Sequence, residues 1–215
     1  VRSFLYAAAI ALAVGLTALR CSTPTAGIET TNGATVAASV SSITGTVPPY
    51  ARVSVFGSTY IPVVDSGLGL TTAVGDSGVF GFEGLAAGVY TVVVELRDKD
   101  KAAAFQGISV GPSAVDSVRQ KTLEPTGSLS GSVTAIPGSA SAILLYLVGT
   151  DYYMALPAPG PFALEFIAPG IYELQAIGLA SNGDFAAQTL APNRDMKTIE
   201  VFASKETKAD TLALR

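Results

Sequence analysis

The feature that most restricts this chain is an internal repeat. Gly78-Val79-Phe80-Gly81-Phe82-Glu83-Gly84-Leu85-Ala86-Ala87-Gly88-Val89-Tyr90 lies over Gly160-Pro161-Phe162-Ala163-Leu164-Glu165-Phe166-Ile167-Ala168-Pro169-Gly170-Ile171-Tyr172 without a gap. Shorter matches flank this block in the same order in both halves: Ile43–Val47 with Leu129–Val133, Gly57–Tyr60 with Gly149–Tyr152, and Ile108–Val110 with Ile199–Val201. A chain that repeats itself in this way folds as two similar units of roughly 85 residues, each large enough for a small domain.

Within each unit the hydrophobic period is two. Tyr172, Leu174 and Ala176 alternate with Glu173 and Gln175, the pattern of a strand buried on one face. Tyr90, Val92, Val94 and Leu96 repeat it, but Val93 stands on the opposite face, which predicts that this strand is covered more fully. Phe80 and Phe82 alternate with Val79 and Gly81, and Phe162, Leu164 and Phe166 alternate with Ala163 and Glu165 in the second unit. The turns between these runs have their own chemistry. Asp76-Ser77-Gly78 offers an Asx-type side-chain bond and a glycine able to take positive φ. Ala87-Gly88 and Pro169-Gly170 are tight reversals, and the second has the residue preference of a type II turn. No sustained helical period follows residue 21, and the alanine-rich piece Ala102–Phe105 is too short to argue for one. Short strands separated by turn signals predict antiparallel β-sandwiches. The first spans 40–124 and the second 125–215, with Pro125-Thr126-Gly127-Ser128 as a short linker that leaves the angle between the units open.

Composition supports packed cores and removes several function classes. With 49% hydrophobic and 14% charged residues among 215, the chain is neither disordered nor coiled coil. The net charge of -4 comes from scattered single charges with no basic stripe, so nucleic acid is set aside as a partner. There is no histidine and one cysteine, which excludes an intramolecular disulfide, histidine-containing zinc sites and the usual hydrolase triads. Glu83 and Glu165 occupy equivalent positions and alternate with apolar neighbours, the pattern of solvent-facing residues at strand ends. Asp98 and Asp100 flank Lys99 in a charge run that suits a soluble hairpin tip, and the lysines argue against a calcium loop. The chain is therefore expected to be non-enzymatic, with no catalytic residue, cofactor or metal.

The N-terminal stretch has another role. Arg2 precedes an uncharged apolar run from Phe4 to Leu16, the length of a signal-peptide core and shorter than the roughly 20 residues that span a bilayer comfortably. Residues 1–20 are read as a targeting segment and 21–39, rich in Ser, Thr, Ala and Gly, as a flexible stalk. The run followed by Cys21 resembles a bacterial lipoprotein signal. That resemblance implies that Cys21 carries acyl chains, which would anchor the protein to the membrane. Arg20 stands where the motif has a small residue, so the alternative remains a free thiol with the segment cleaved elsewhere or retained as a short anchor.

The run Thr71-Thr72-Ala73-Val74-Gly75-Asp76-Ser77-Gly78-Val79-Phe80-Gly81-Phe82, followed by Leu85-Ala86-Ala87-Gly88-Val89-Tyr90, resembles the carboxypeptidase regulatory-like, or transthyretin-like, domain. The second unit keeps the Phe-to-Tyr block but carries Met154–Gly160 in place of the Thr-Thr and Asp turn, as a diverged copy. The resemblance implies an all-β protein of two tandem Greek-key β-sandwiches (transthyretin-like or Ig-like), a class often grouped with carbohydrate-binding-like folds. Such modules usually serve as accessory, adhesive or scaffolding units, an analogy of fold and not of site. The expected role is a structural, spacer or protein-interaction module of the bacterial cell envelope, in the outer membrane or periplasm, with envelope proteins or polysaccharide as partners. The alternative is a surface carbohydrate-binding module. Its candidate contacts are Tyr60 and Tyr152, equivalent by the repeat, for which ring packing with a wet hydroxyl is the competing reading. Tyr90 and Tyr172 are expected in the cores, capping a corner through a backbone hydrogen bond.

Overall fold

The computed structural model describes residues 33–65, 67–112, 119–135, 142–179 and 190–214. The targeting segment 1–20, Cys21 and the stalk up to residue 32 lie outside the described residues. Every element described is a strand, and residues 31–215 form one compact unit.

The first half contributes β1 (Gly33–Ala38), β2 (Ser42–Thr46), β3 (Arg52–Gly57), β4 (Leu70–Ala73), β5 (Val79–Glu83), β6 (Gly88–Glu95), β7 (Lys101–Val110), β8 (Arg119–Thr122) and β9 (Glu124–Pro125). They build one sheet in the order β5-β2-β1-β8 and another in the order β4-β3-β6-β7-β9. Val36, Ile43, Phe80 and Phe82 from the first sheet meet Val53, Val55, Val92, Val94 and Phe105 from the second in one hydrophobic core. The second half contributes β10 (Gly127–Ala135), β11 (Ala142–Leu147), β12 (Tyr153–Leu156), β13 (Gly160–Ile167), β14 (Gly170–Leu179), β15 (Leu190–Val201), β16 (Glu206–Lys208) and β17 (Leu212–Leu214). Here β13-β10-β16, with β17 also on β10, faces β12-β11-β14-β15. The repeat is thus a repeat of strands: β2 through β7 recur as β10 through β15.

Its most durable element is a cross-strand pair. Gly45 on β2 stands opposite Phe80 on β5, and Gly131 on β10 opposite Phe162 on β13. In both places the phenyl ring lies over the glycine, and a Cβ there would come within 2.7 Å of a ring carbon. Glycine in a strand interior weakens it unless something uses the space, and here a buried aromatic ring does.

Three expectations need correction. The stalk does not reach residue 39, because Gly33–Ala38 forms β1, hydrogen-bonded to β2 on one side and β8 on the other, antiparallel to both. Ala34, Val36 and Ala38 are buried at period two, but their small volumes gave a weak hydrophobic signal. Among the described residues the second half has no counterpart of β1: β16 and β17 bond directly to β10, parallel to it. The linker is shorter than expected, since Pro125 belongs to β9 and Gly127 to β10. Thr126 alone lies between, its N–H donating to Asp100 and its carbonyl accepting from Ser204. The turn before β6 and β14 also differs. Gly88 and Gly170 are not at positive φ; the left-handed positions are Gly84 (φ 71°) and its equivalent Phe166 (φ 59°). Gly78 does take positive φ, at 68°, with Ser77 Oγ rather than Asp76 accepting from the Val79 N–H.

Candidate functional site at the seam between the sandwiches

In strands β3, β6 and β7 successive side chains alternate between the domain's own core and the opposite face. That opposite face, which a lone sandwich would show to water, carries Ser54, Phe56, Thr91, Val93, Glu95, Ala102 and Ala104, and all seven are buried. Phe56, Val93, Ala102 and Ala104 belong to the hydrophobic cluster of the second sandwich, together with Tyr152, Ala168 and Tyr172. The extra cover predicted from Val93 is therefore the other copy. The same fact explains the alanine run on β7: Ala103 and Phe105 fill one core while Ala102 and Ala104 admit the neighbouring domain at short range.

Polar groups close the seam. The Tyr152 hydroxyl donates to Glu95 Oε1 at 3.2 Å and accepts from the Ala168 N–H at 3.2 Å. Tyr172, 6.4 Å from Tyr152 in an edge-to-face arrangement, donates its hydroxyl to the Ala168 carbonyl at 2.6 Å. Arg52 Nη2 meets Asp151 Oδ2 at 3.4 Å. Gly149 donates its N–H to the Tyr60 carbonyl at 3.1 Å, so the equivalent turns Gly57–Tyr60 and Gly149–Tyr152 touch. Gly149 has φ 72°, and a Cβ there would press on Ser58 O, Thr91 Oγ1 and Gly57 O at 3.2–3.4 Å. Gln106 Nε2 donates to the Ile171 carbonyl at 2.8 Å.

The connection from β3 to β4 adds a strap. Ile61 and Val63 pack against Leu144, Tyr146 and Ile177 on the outer face of β11 and β14. Asp65 holds its shape by accepting from the Ile61 N–H at 2.8 Å, and Val63 is forced to φ 72°, a costly conformation for a β-branched residue.

This environment displaces several pKa values. Burial, and then the nearby Asp151 charge, push Glu95 above the ordinary glutamate value, against opposing pulls from Lys99, Arg52 and the Tyr152 hydrogen bond. Burial likewise pushes Tyr152 well above its usual range, with the Glu95 charge adding to it. Tyr172 moves up for the same two reasons.

The residues singled out in the sequence are thus distributed as follows. Cys21 lies outside the described residues. Tyr152 is only 8% exposed and offers no open ring face, because the other sandwich closes over it. Tyr60 is half-buried, its ring 4.9 Å from that of Phe56. Tyr90 and Tyr172 cap corners as expected, Tyr90 donating to the Ala86 carbonyl at 2.8 Å and Tyr172 to that of Ala168. Glu83 and Glu165 are exposed, each on its own sandwich. Asp98 and Asp100 sit on the exposed β6–β7 tip and share a hydrogen bond that lowers the first and raises the second. Among the described residues no group of three His, Cys, Asp or Glu could hold a metal.

Sequence reasoning missed two groups. Glu95 hides at the end of the valine run, on the same face as Val93, and that shared face was the available signal. Tyr50, after Pro48-Pro49, is exposed at φ 62° beside an open depression of about 490 Å³ lined by Pro49, Leu96, Arg97 and Asp98. A hydrogen bond to Asp76 raises its hydroxyl pKa.

No family model and no curated protein matches this sequence. Among solved structures, the minor pilin GBS52 of the gram-positive pathogen Streptococcus agalactiae aligns over 80% of this chain and 85% of its own, at 14% identity and a TM-score of 0.34. A leucine-rich repeat protein from Bacteroides thetaiotaomicron aligns over 79% of this chain and 25% of its own, at 9% identity and a TM-score of 0.26. Likenesses at this level bear on neither chemistry nor partner.

Proposed function

We propose that this chain is a non-enzymatic cell-envelope protein, tethered by acylation of Cys21, whose paired carboxypeptidase regulatory-like sandwiches serve as a structural spacer or protein-interaction module. The observation that supports it most is the seam. Two domains that share one apolar cluster and bond through their backbones form a body of fixed span while the seam is closed, the property a spacer needs. The absence of histidine and the separation of Glu83 from Glu165 on different sandwiches favour the same reading. Intact-mass measurement of the protein from membrane fractions tests the tether. A chain beginning at Cys21 with added acyl mass is expected, and an unmodified chain beginning elsewhere would remove the lipoprotein claim.

A second reading, polysaccharide binding, draws on Tyr50. An exposed aromatic ring beside a depression carrying Arg97 and Asp98 has the ingredients of a sugar platform. A glycan-binding assay on the full chain separates the two. The spacer reading expects no saturable binding; saturable binding abolished by Tyr50→Ala would replace it.

A further inference from the structure

We propose that the seam between the two sandwiches is a pH-responsive latch in which Glu95 is the sensor, tightening when the carboxyl is protonated and loosening when it ionises. The geometry carries the argument. Glu95 is 5% exposed at the end of β6, on the face covered by the second sandwich. Its cross-strand neighbour on β3 is Arg52, the natural counter-ion, yet Arg52 is turned to Asp151 of the other sandwich. Among the described residues no cation lies within ion-pair distance of Glu95, and its partner is the neutral Tyr152 hydroxyl. A buried carboxylate that meets a neutral donor and a second carboxylate is costly to ionise.

The groups facing it come from every element around it: Arg52 on β3, Lys99 on the β6–β7 turn, Asp151 and Tyr152 on the β11–β12 turn, and Tyr172 on β14. The tyrosines stay neutral while Glu95 titrates, because burial holds both above their ordinary value. With the seam open, Glu95 regains water and its ordinary acidity. A group whose pKa is higher in the closed form stabilises that form fully below the ordinary value, 4.5, and the stabilisation is lost as pH rises through the closed-state value. Acidification therefore closes the seam, and the responsive window begins near 4.5 and extends upward.

Hydrogen exchange on the full chain tests this at one atom. The Gly149 N–H bonds across the seam to Tyr60, so its protection reports opening, while the amides of Val53 and Val55 within β3 report global unfolding. Comparing wild type with Glu95→Gln at each pH cancels the intrinsic pH dependence of exchange. The wild type should be less protected than the variant at pH 8, and the gap should shrink on acidification by at most about tenfold per pH unit, the limit for one proton. A ratio that does not change with pH would overturn the proposal. Asp151→Asn provides a second arm should Glu95→Gln not fold. It removes the repelling charge and frees Arg52, so its opening should depend less on pH than that of the wild type, and an unchanged profile would count against the latch.

Discussion

The two sandwiches share a local sequence, and where they diverge they show how surroundings set the value of the same residue. Tyr90 and Tyr172 make the same corner bond to a carbonyl four residues back. Tyr90 makes it at a half-exposed edge of its core, whereas Tyr172 makes it beneath the seam, against Tyr152. At the preceding turn the first copy places Gly84 in the left-handed region without strain, while the second holds Phe166 there, 47% exposed. Beside the shared Gly–Phe pair, the first copy has β1, whose Thr35 carbonyl leaves no room over Gly45; the second has Ala209 O at 3.1 Å from the position of a Gly131 Cβ. A repeat therefore conserves contacts made inside the unit, and the environment grades their strength.

That comparison can be broken by substitution, read as urea-unfolding midpoints of the full chain. The largest effect is expected at the glycines. Gly45→Ala should cost about 3 kcal/mol or more because both backbone and ring must move, and Gly131→Ala about 2 kcal/mol because the ring is the main obstacle. Equal costs would deny β1 its part in the difference. Next, Tyr172→Phe should cost about 2 kcal/mol, since it leaves the Ala168 carbonyl without that donor in a buried setting, against about 0.5 kcal/mol for Tyr90→Phe. At the turn the signs should oppose each other: Gly84→Ala destabilises by about 1 kcal/mol, and Phe166→Gly stabilises by about 0.5 kcal/mol as strain is relieved. A loss on Phe166→Gly would mean that the exposed ring makes a stabilising contact. The smallest effects belong to Glu83→Gln and Glu165→Gln, each within about 0.5 kcal/mol, as for exposed positions with no buried partner.

Much of this architecture was readable from side-chain period and turn chemistry. Phe80, Phe82, Phe162 and Leu164 are buried as their alternation predicts, whereas Phe166, in the same alternation, is turned out to solvent at its left-handed position. What escaped depends on contacts between segments far apart in the chain. β1 is held by the edges of β2 and β8, not by its own weakly hydrophobic side chains. Tyr152 looks like a candidate platform until another domain is set on top of it. Glu95 looks like an ordinary polar end to a valine strand, and its environment exists only when Asp151 and Tyr152 arrive from the second copy. Val93 on β6 and Ala102–Ala104 on β7 were the local trace of that arrival, in two neighbouring strands too apolar for one covered face.

The placement of β1 also has a mechanical consequence. It is where the chain upstream of residue 33 enters the first sandwich, and it is an interior strand with four residue pairs to β2 and four to β8. A pull on that upstream chain bears on both ladders together, and β1 cannot leave without splitting the sheet down its middle. A terminal strand on an outer edge would instead peel from one neighbour, bond by bond. The first sandwich is thus built to take tension at the end where a tether would attach.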